Sequence, residues 1–389
     1  TSPGDDSTDA LASRELVLTF SQDVSPGTGN LTLRDLTDPM NPVATTLPAN
    51  DPALTYDQNV VRIDPVGLLD WDTDYAVRID AGAILGDGGA PTPSISDDTT
   101  WNFSTLAADP LLEAIAALKD HITGSAALTG AEISAQKTTI DNLRQRLAES
   151  TAIIDAVFDL IATYDSGEGP LFVGGSTVTS FDRNNTNPAD NRSVSPENIH
   201  WVVYTVMQHT MDVIYAGPVL ADPAKLDRLE NYVSPGSGFV FGSHTDFPGP
   251  CTPPADPLNV HNVQIDGSFP ITFGRSTQQW TNPARKPTGA YLAPGTIATV
   301  TVPAALVDAG YKVRVGAHSW DLSGRRPVER LERATCLYPI DATTITVANP
   351  YGGGVYIEVP IGASAGVVDV SVTGAVRSPY FSAKSFHQT

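Results

Sequence analysis

Two histidines one helical turn apart, with a glutamate after the first, can hold zinc and activate water. The chain contains seven histidines, none followed by glutamate and no two four positions apart. The closest pair, His200 and His209, would fall on roughly opposing faces of a helix, so we interpret both as packing or surface residues. Gly236-Ser237-Gly238 also lacks the spacing of a serine nucleophile turn. The sequence therefore predicts no zinc site and no catalytic constellation.

The two cysteines, Cys251 and Cys336, allow two interpretations. Paired, they would stabilise the fold by roughly 4 kcal/mol by restricting the unfolded chain. Unpaired, they would be two buried free thiols. Their spacing does not suit zinc, whose cysteine ligands come in close pairs. We expect a disulfide, as in an exported protein.

Asp70, Asp72 and Asp74 have the alternate spacing of calcium ligands. They lack the following glycine and the distal glutamate of a helix–loop–helix calcium site. Solvated loop carboxylates are the other interpretation, and an acidic protein favours it. Calcium is the only cofactor that we consider for this chain.

The charge balance excludes some partners. With 23 Lys and Arg against 44 Asp and Glu, the net charge is −21. Such a surface repels nucleic acid and anionic lipid. No stretch reaches 18 consecutive apolar residues, so we expect no membrane insertion.

The elements that position these residues fall into compositional zones. Short alternating segments between Pro, Gly and Asp turns predict a β-sandwich at the start, and apolar residues at three- and four-residue steps predict a helical bundle in the middle. A Pro/Gly-rich segment then precedes a second β-rich zone. The predicted fold is a multidomain chain of two β-sandwiches and a helical domain. The expected boundaries are 1–107 (sandwich), 108–233 (helical), 234–295 (irregular, packing on its neighbours) and 296–389 (second sandwich).

Aromatic residues in the last two zones are candidate glycan contacts. Trp320 follows a predicted strand and is flanked by His318 and Asp321, a composition that suits sugar binding. Trp280 and Tyr291, with Phe239, Phe241 and Phe247, either form a stacking platform or pin the irregular segment to the sandwiches. We favour the pinning interpretation for the aromatic residues of this segment.

Residues 1–106 resemble the bacterial Ig-like domain of S-layer and other surface proteins. The resemblance lies in TSPGDD (1–6), LVLTFSQDVSPGTGNLTL (16–33), TDYAVRIDAGAILGDGGA (73–90) and WNFST (101–105). It implies an Ig-like sandwich that serves as a spacer or an adhesion unit. The strand that usually precedes the Ser-Pro turn of such domains is not seen before Ser2-Pro3.

Residues 265–381 resemble the enhancin-like, mucin-degrading zinc metallopeptidases. The motifs are PTGAYLAPGTIATVTVP (287–303), YKVRVGAHSWDLS (311–323), ANPYGGGVYIEVP (348–360) and VTGAVRSPYF (372–381). The resemblance implies the β-sandwich that lies just before the catalytic domain of this family. We therefore expect no enzyme in this chain, and a longer parent chain that holds zinc in a following domain.

Gly352, Gly353 and Gly354 directly precede an alternating run, Val355–Val359. Glycine allows positive φ and close backbone approach, so we interpret the triplet as a structural turn into a strand. A phosphate-binding loop would need a helix after the glycines.

These patterns lead to two functional hypotheses. The first is a non-catalytic accessory region of a secreted or cell-surface enhancin-like metallopeptidase, which supports the catalytic domain and binds glycoprotein or polysaccharide. The second is an extracellular structural or adhesive protein, a surface-layer or filament subunit that self-associates through strand exchange.

Overall fold

Alternating apolar and polar residues build the first of two units, Thr1–Glu113. In β2, Leu16 and Leu18 are buried while Thr19 is exposed, as the period of two requires. The strands are β1 (Ser7–Ala10), β2 (Leu16–Thr19), β3 (Ser25–Pro26), β4 (Asn30–Asp35), β5 (Val43–Pro48), β6 (Leu54–Asp57), β7 (Val60–Ile63), β8 (Asp74–Ile79), β9 (Ile84–Leu85) and β10 (Asn102–Thr105). They pair in the orders β1-β10-β8-β4-β5, β2-β7-β6 and β3-β9. The core between them contains Tyr75, Trp101 and Phe103.

This computed structural model describes residues 1–12, 14–38, 40, 42–64, 68–270, 282–319 and 327–378.

The second unit is Ala114–Thr389. The helices are α1 (Pro110–Thr123), α2 (Gly130–Asn142), α3 (Thr151–Gly167), α4 (Ile199–His209), α5 (Gly217–Leu220) and α6 (Pro223–Glu230). A π-helical turn, Thr210–Ile214, continues α4. Within the described residues, no helix is long and apolar enough to cross a membrane.

The apolar pattern over about 130–164 predicts one helix, and local capping divides it in two. A capping box between Thr129 and Glu132 starts α2. A short 3-10 helix, Arg144–Ala148, interrupts the pattern, and the side chain of Ser150 then accepts from the Ile153 amide to start α3. The apolar period continues across the break, so the sequence pattern alone does not show it.

The second half of this unit is a sandwich of two antiparallel sheets. Its strands are β11 (Val260–Ser268), β12 (Ala284–Leu292), β13 (Ile297–Thr301), β14 (Lys312–His318), β15 (Ala334–Pro339), β16 (Thr344–Ala348), β17 (Gly353–Val359), β18 (Ser364–Thr373) and β19 (Val376–Arg377). One sheet has the order β11-β18-β13-β16 and the other β15-β14-β17-β12-β19. Val313, Val315 and Ile357 are fully buried in its core.

The segment predicted as irregular contributes two of these strands, β11 and β12. In β12 the register shifts between Pro287 and Tyr291, and Gly289 lies within the shift. Proline and glycine interrupt the alternating pattern of a strand, which is why the sequence of residues 234–295 does not predict β structure. The domain boundary expected at 295/296 is therefore not a structural boundary.

Helices and sandwich share one aromatic core. Phe239 stacks on Phe158 of α3, with ring centroids 3.9 Å apart and planes 2° apart. Phe241 packs against Tyr351 with centroids 5.1 Å apart, and the Ser243 and Tyr351 hydroxyls are 2.8 Å apart. Phe241 thus pins the Pro/Gly-rich segment to the sandwich, whereas Phe239 pins it to helix α3 and not to a sandwich. The helical zone and the sandwich form one unit, where the sequence suggested separate domains.

Candidate functional site

Both cysteines carry free thiols, so the predicted disulfide does not form, and only one of the two thiols is buried as the alternative expected. Cys336 lies in β15 opposite Val315 and is buried. The hydroxyl groups of Tyr215 and Tyr338 interact with its thiol. Cys251 is half-buried and donates to the Thr252 carbonyl. Burial raises the pKa of both thiols above the ordinary range.

Asp70, Asp72 and Asp74 make separate contacts. The Asp70 amide donates to the Tyr75 hydroxyl over 2.8 Å, and the Asp74 carboxylate accepts from Ser104 over 2.5 Å. Asp72 occupies the left-handed region with φ of 54°. Across the described residues, no group of three or more His, Cys, Asp or Glu side chains is arranged to hold a metal. The structure therefore does not bring the three carboxylates together as calcium ligands.

Two of the five candidate glycan contacts, His318 and Tyr291, lie in the described part of the chain, while Trp280, Trp320 and Asp321 lie outside it. Tyr291 lies in β12 opposite Gly354, and His318 ends β14 opposite Ala334. They occupy different strands of the same sheet.

The triple glycine forms the entry to β17 at a point of close backbone approach. Gly352 and Gly353 have φ of 65° and 142°, conformations that favour glycine. A Cβ on Gly352 would lie 2.4 Å from the Leu292 carbonyl oxygen, and one on Gly353 would lie 2.7 Å from the Gly316 Cα. Gly316, with φ of 84°, lies in the β14 bulge between Val315 and His318. The glycines therefore let β17 pack against this bulge.

The bulge changes the direction of β14 and so positions His318 and Ser319. The His318 ring packs edge-on against Phe247, with centroids 4.6 Å apart. The guanidinium of Arg330 lies 5.1 Å from the centre of the same Phe247 ring. Burial lowers the pKa of His318, and the cations of Arg330 and Arg285 lower it further. His318 is therefore neutral at pH 7 and can both donate and accept hydrogen bonds.

A row of charged residues crosses the outer face of the same sheet. Strand pairing sets Lys312 of β14 opposite Glu358 of β17, and Glu358 opposite Arg285 of β12. Opposed residues share a face, so one carboxylate lies between two cations. Arg314 is two positions beyond Lys312, on the same face of β14.

The floor of this row is buried and fully paired. Arg314 and Glu358 are 7% and 3% exposed, and the Arg314 Nε donates to Glu358. Arg314 also donates to the Thr335 hydroxyl over 2.7 Å, and that hydroxyl donates to the Gly316 carbonyl over 2.7 Å. The Arg285 Nε lies 3.4 Å from Glu358, while its Nη1 donates to the Ala317 carbonyl over 2.7 Å. This network fixes the Arg285 guanidinium above the sheet.

An open groove of about 1070 Å³ lies over the row. The charged lining residues are Arg285, Lys312, Arg314 and Glu358, and Ser319 lies among them. The apolar lining is formed by Pro283, Leu337, Pro360 and Ile361. A groove with fixed donors beside apolar surface can bind a polar ligand. We call it the sheet groove.

A second cavity, of about 540 Å³, lies beside α4. Trp201 and Tyr204 stack in it with centroids 4.5 Å apart, and burial raises the pKa of Tyr204 to about 12. Four of its charged groups form two ion pairs, Arg333 with Asp212 over 2.6 Å and Arg183 with Glu332, while Lys137 of the lining pairs with Asp141. The two ion pairs join the π-helical turn after α4 and the chain before α4 to the segment before β15, so we assign the cavity a structural role.

The sequence did not predict the sheet groove, because its cations lie in segments for which the sequence predicted only a strand or irregular structure. The available signal was Glu358 in the run VYIEVP, a carboxylate between apolar residues. A carboxylate is seldom fully buried unless it is paired, so a buried Glu358 would indicate a cation nearby. The sequence did not say which one, because strand pairing decides that.

Comparisons with protein families confirm both resemblances. Residues 1–105 match the bacterial Ig-like domain, and residues 269–373 match the N-terminal domain of M60-like peptidases, the enhancin-like family. The sheet groove belongs to the second match. That match covers the N-terminal domain of the family and not its catalytic domain.

Curated relatives match over a similar stretch. The chain is 37% identical to human TRPM8 channel-associated factor 2 over 94 residues, which is 24% of this chain and 10% of that protein. It is 33% identical to the Xenopus laevis TRPM8 channel-associated factor homolog over 119 residues, 31% of this chain and 12% of that protein. The chain thus spans about a tenth of the length of these relatives.

Among solved structures, the IMPa metallopeptidase from Pseudomonas aeruginosa is similar at 16% identity with a TM-score of 0.28. The similarity covers 58% of this chain and 23% of that one. A superposition of this quality carries no functional conclusion.

Proposed function

We propose that this chain is the non-catalytic accessory region of an extracellular, enhancin-like metallopeptidase, and that it binds glycoprotein substrate through its C-terminal sandwich. The match of residues 269–373 to the N-terminal domain of M60-like peptidases is the observation on which the proposal rests. The Ig-like match of residues 1–105 supports an extracellular setting and a spacer role for the first unit.

The sheet groove supplies a binding surface on the matched domain. Its donors are held in place before any ligand arrives: Arg285 by the Ala317 carbonyl, and Arg314 by Glu358 and Thr335. Fixed donors lose less conformational entropy on binding than free ones. Pro283, Pro360 and Ile361 offer apolar surface beside them, which suits the C–H faces of a sugar ring.

The residues of the groove are not arranged for bond cleavage. Glu358, its carboxylate, is held between arginines. Its role is to position their guanidinium groups. The groove therefore supports binding, with zinc and peptide hydrolysis assigned to a separate catalytic domain of the parent protein.

Binding away from the reacting bond has a defined use in such an enzyme. A tethered binding module raises the concentration of substrate near the catalytic domain, to the millimolar range for short linkers. Remote contacts also contribute binding energy that a catalytic domain can use to orient the substrate. The accessory region would thus increase cleavage of glycoproteins more than cleavage of short peptides.

The test is binding of the 389-residue chain to a mucin domain, compared with the same domain after enzymatic removal of its O-glycans. We expect binding to the glycosylated form and loss of at least about tenfold in affinity on deglycosylation, since about 1.4 kcal/mol of contact accounts for tenfold. Equal binding to both forms, or binding to neither, would refute the proposal.

A further inference from the structure

We infer that the sheet groove selects anionic glycans, those whose sugars carry a carboxylate or a sulfate ester. This inference rests on the proposed function, because it names the class of glycan that the same groove takes. Its first support is the sign of the local charge. Among the described residues, the charged lining consists of Arg285, Lys312 and Arg314 against Glu358, which gives a net positive lining in a chain of net charge −21.

The charges at the floor and at the rim have different roles. The Glu358 charge is already engaged by two guanidinium groups, since Arg314 and Arg285 both contact it. Lys312 lies opposite Glu358 in the neighbouring strand and is exposed. In the described part of the chain, Lys312 makes no ion pair. The excess positive charge is therefore carried at the rim, where a ligand can reach it.

The wider surface extends the positive field. Arg330 is held by the carbonyls of Leu331 and Glu332 and lies over Phe247, and it forms no ion pair with a described residue. His318 packs on the same ring. Arg330 and Arg285 together lower the pKa of His318, which places both cations near one side chain. A ligand that extends from the groove toward His318 would meet further positive charge.

The position of the groove favours a glycan over an acidic peptide. Extended peptides bind sheets by adding to an edge strand, where they pair with free backbone groups. Three of the charged lining residues lie in β14 and β17, which pair on both sides, and Arg285 lies in β12, between β17 and β19. The face of the sheet offers side chains and not backbone pairing. Planar guanidinium groups suit carboxylate and sulfate oxygens.

The experiment compares four probes on the full 389-residue chain by calorimetry. They are one O-glycopeptide with a neutral glycan, the same glycopeptide sialylated, the same glycopeptide sulfated, and an unglycosylated peptide of matching negative charge. We expect the sialylated or the sulfated probe to bind about tenfold more tightly than the neutral one, and the tighter of the two identifies the source of the anion. The preference should decrease as NaCl is raised from 50 to 300 mM, because salt screens exposed charges.

Two matched variants locate the effect. Lys312→Gln should weaken binding of the anionic probes far more than binding of the neutral probe, and so remove most of the preference. Lys286→Gln is the control, since Lys286 neighbours Arg285 but pairs with Asp266 of the other sheet. Both substitutions remove one positive charge from the chain, so only a local role for Lys312 separates them.

The outcomes separate this inference from the function on which it rests. Equal affinity for neutral and anionic glycopeptides, or an unchanged preference in Lys312→Gln, overturns the inference and leaves glycan binding intact. Equal affinity for the acidic peptide and the anionic glycopeptides overturns the assignment to glycans. Failure of every glycopeptide to bind overturns the proposed function itself.

Discussion

Gly353 lies so close to Gly316 that a side chain on Gly353 would meet the Gly316 backbone. A Cβ built on Gly353 would be 2.7 Å from the Gly316 Cα, and one on Gly316 would be 2.4 Å from the Ala334 carbonyl oxygen. The contact joins the entry of β17 to the bulge of β14. The triple glycine and the groove are thereby linked, because the bulge sets the position of Ser319 at the groove and of the adjacent His318.

Substitution of Gly353 by alanine should destabilise the second unit by about 2–6 kcal/mol, because a strained φ and an overpacked contact each cost about 1–3 kcal/mol. Gly366→Ala is the control: its φ is also positive, at 71°, but a Cβ there would meet nothing within 4 Å. It should cost only the backbone strain, about 1–2 kcal/mol. Urea unfolding followed by tryptophan fluorescence measures both. Equal losses in the two variants would show that the Gly316 contact adds nothing.

Removing one partner of the buried pair at the groove floor should be costly. Glu358→Gln leaves the Arg314 guanidinium, which is 7% exposed, without a counter-charge. We expect a loss of about 3–5 kcal/mol in the free energy of unfolding. The double variant Arg314→Met/Glu358→Met should recover most of the loss, because it leaves no unpaired charge. The exposed pair of Lys286 and Asp266 provides the comparison, and Lys286→Gln should cost less than about 1 kcal/mol. A similar cost in Glu358→Gln and Lys286→Gln would contradict the buried-pair account.

Asp165 should make the second unit less stable above pH 6. Its Oδ2 accepts from the Gly242 amide over 3.1 Å, while its buried Oδ1 has no hydrogen-bond partner among the described residues. Burial raises the pKa of Asp165 to about 6, above its ordinary value of 3.8. The folded state therefore keeps its proton at a pH where the unfolded state has lost it. The stabilisation is complete below pH 3.8 and is lost as the pH rises through about 6.

The variant Asp165→Asn isolates this contribution. The amide can still accept from Gly242 but does not titrate in this range. Compared with the variant, the unmodified chain should lose roughly 2–3 kcal/mol of stability between pH 4 and pH 7, at 1.36 kcal/mol per pKa unit. Unfolding free energies of both chains, measured across this range, give the difference directly. Parallel curves would show that Asp165 has an ordinary pKa.

The free thiols should differ in reactivity. Cys251 is half-buried, whereas Cys336 is 2% exposed within the sandwich. A thiol reagent such as DTNB should therefore modify one cysteine in the folded chain and both after unfolding in denaturant, with Cys251→Ser removing the first reaction. Reducing agent should leave the thermal midpoint unchanged. If the unfolded, unreduced chain had no reactive thiol, the two cysteines would have to be paired in a disulfide.

Much of the architecture follows from local pattern. Leu16 and Leu18 recur with a period of two and are buried in β2, and the three- and four-residue apolar steps from Leu111 to Ile122 form α1. The sequence-based predictions of secondary structure failed where the local pattern was misleading. Pro287 and Gly289 hid β12, and the apolar pattern that runs on past Ser150 hid the break between α2 and α3.

The sequence by itself determined the two β-rich zones, the glycine entry to β17 and the lack of an H-E-x-x-H motif, because each depends on residues close together in the chain. Only the tertiary structure decided that Arg285, Lys312 and Glu358 lie side by side. The period of two tells which face of a strand a residue occupies, but not which strand lies beside it. Register is set by the packing of the whole sheet, so the groove and its charge exist only once β12, β17 and β14 have paired.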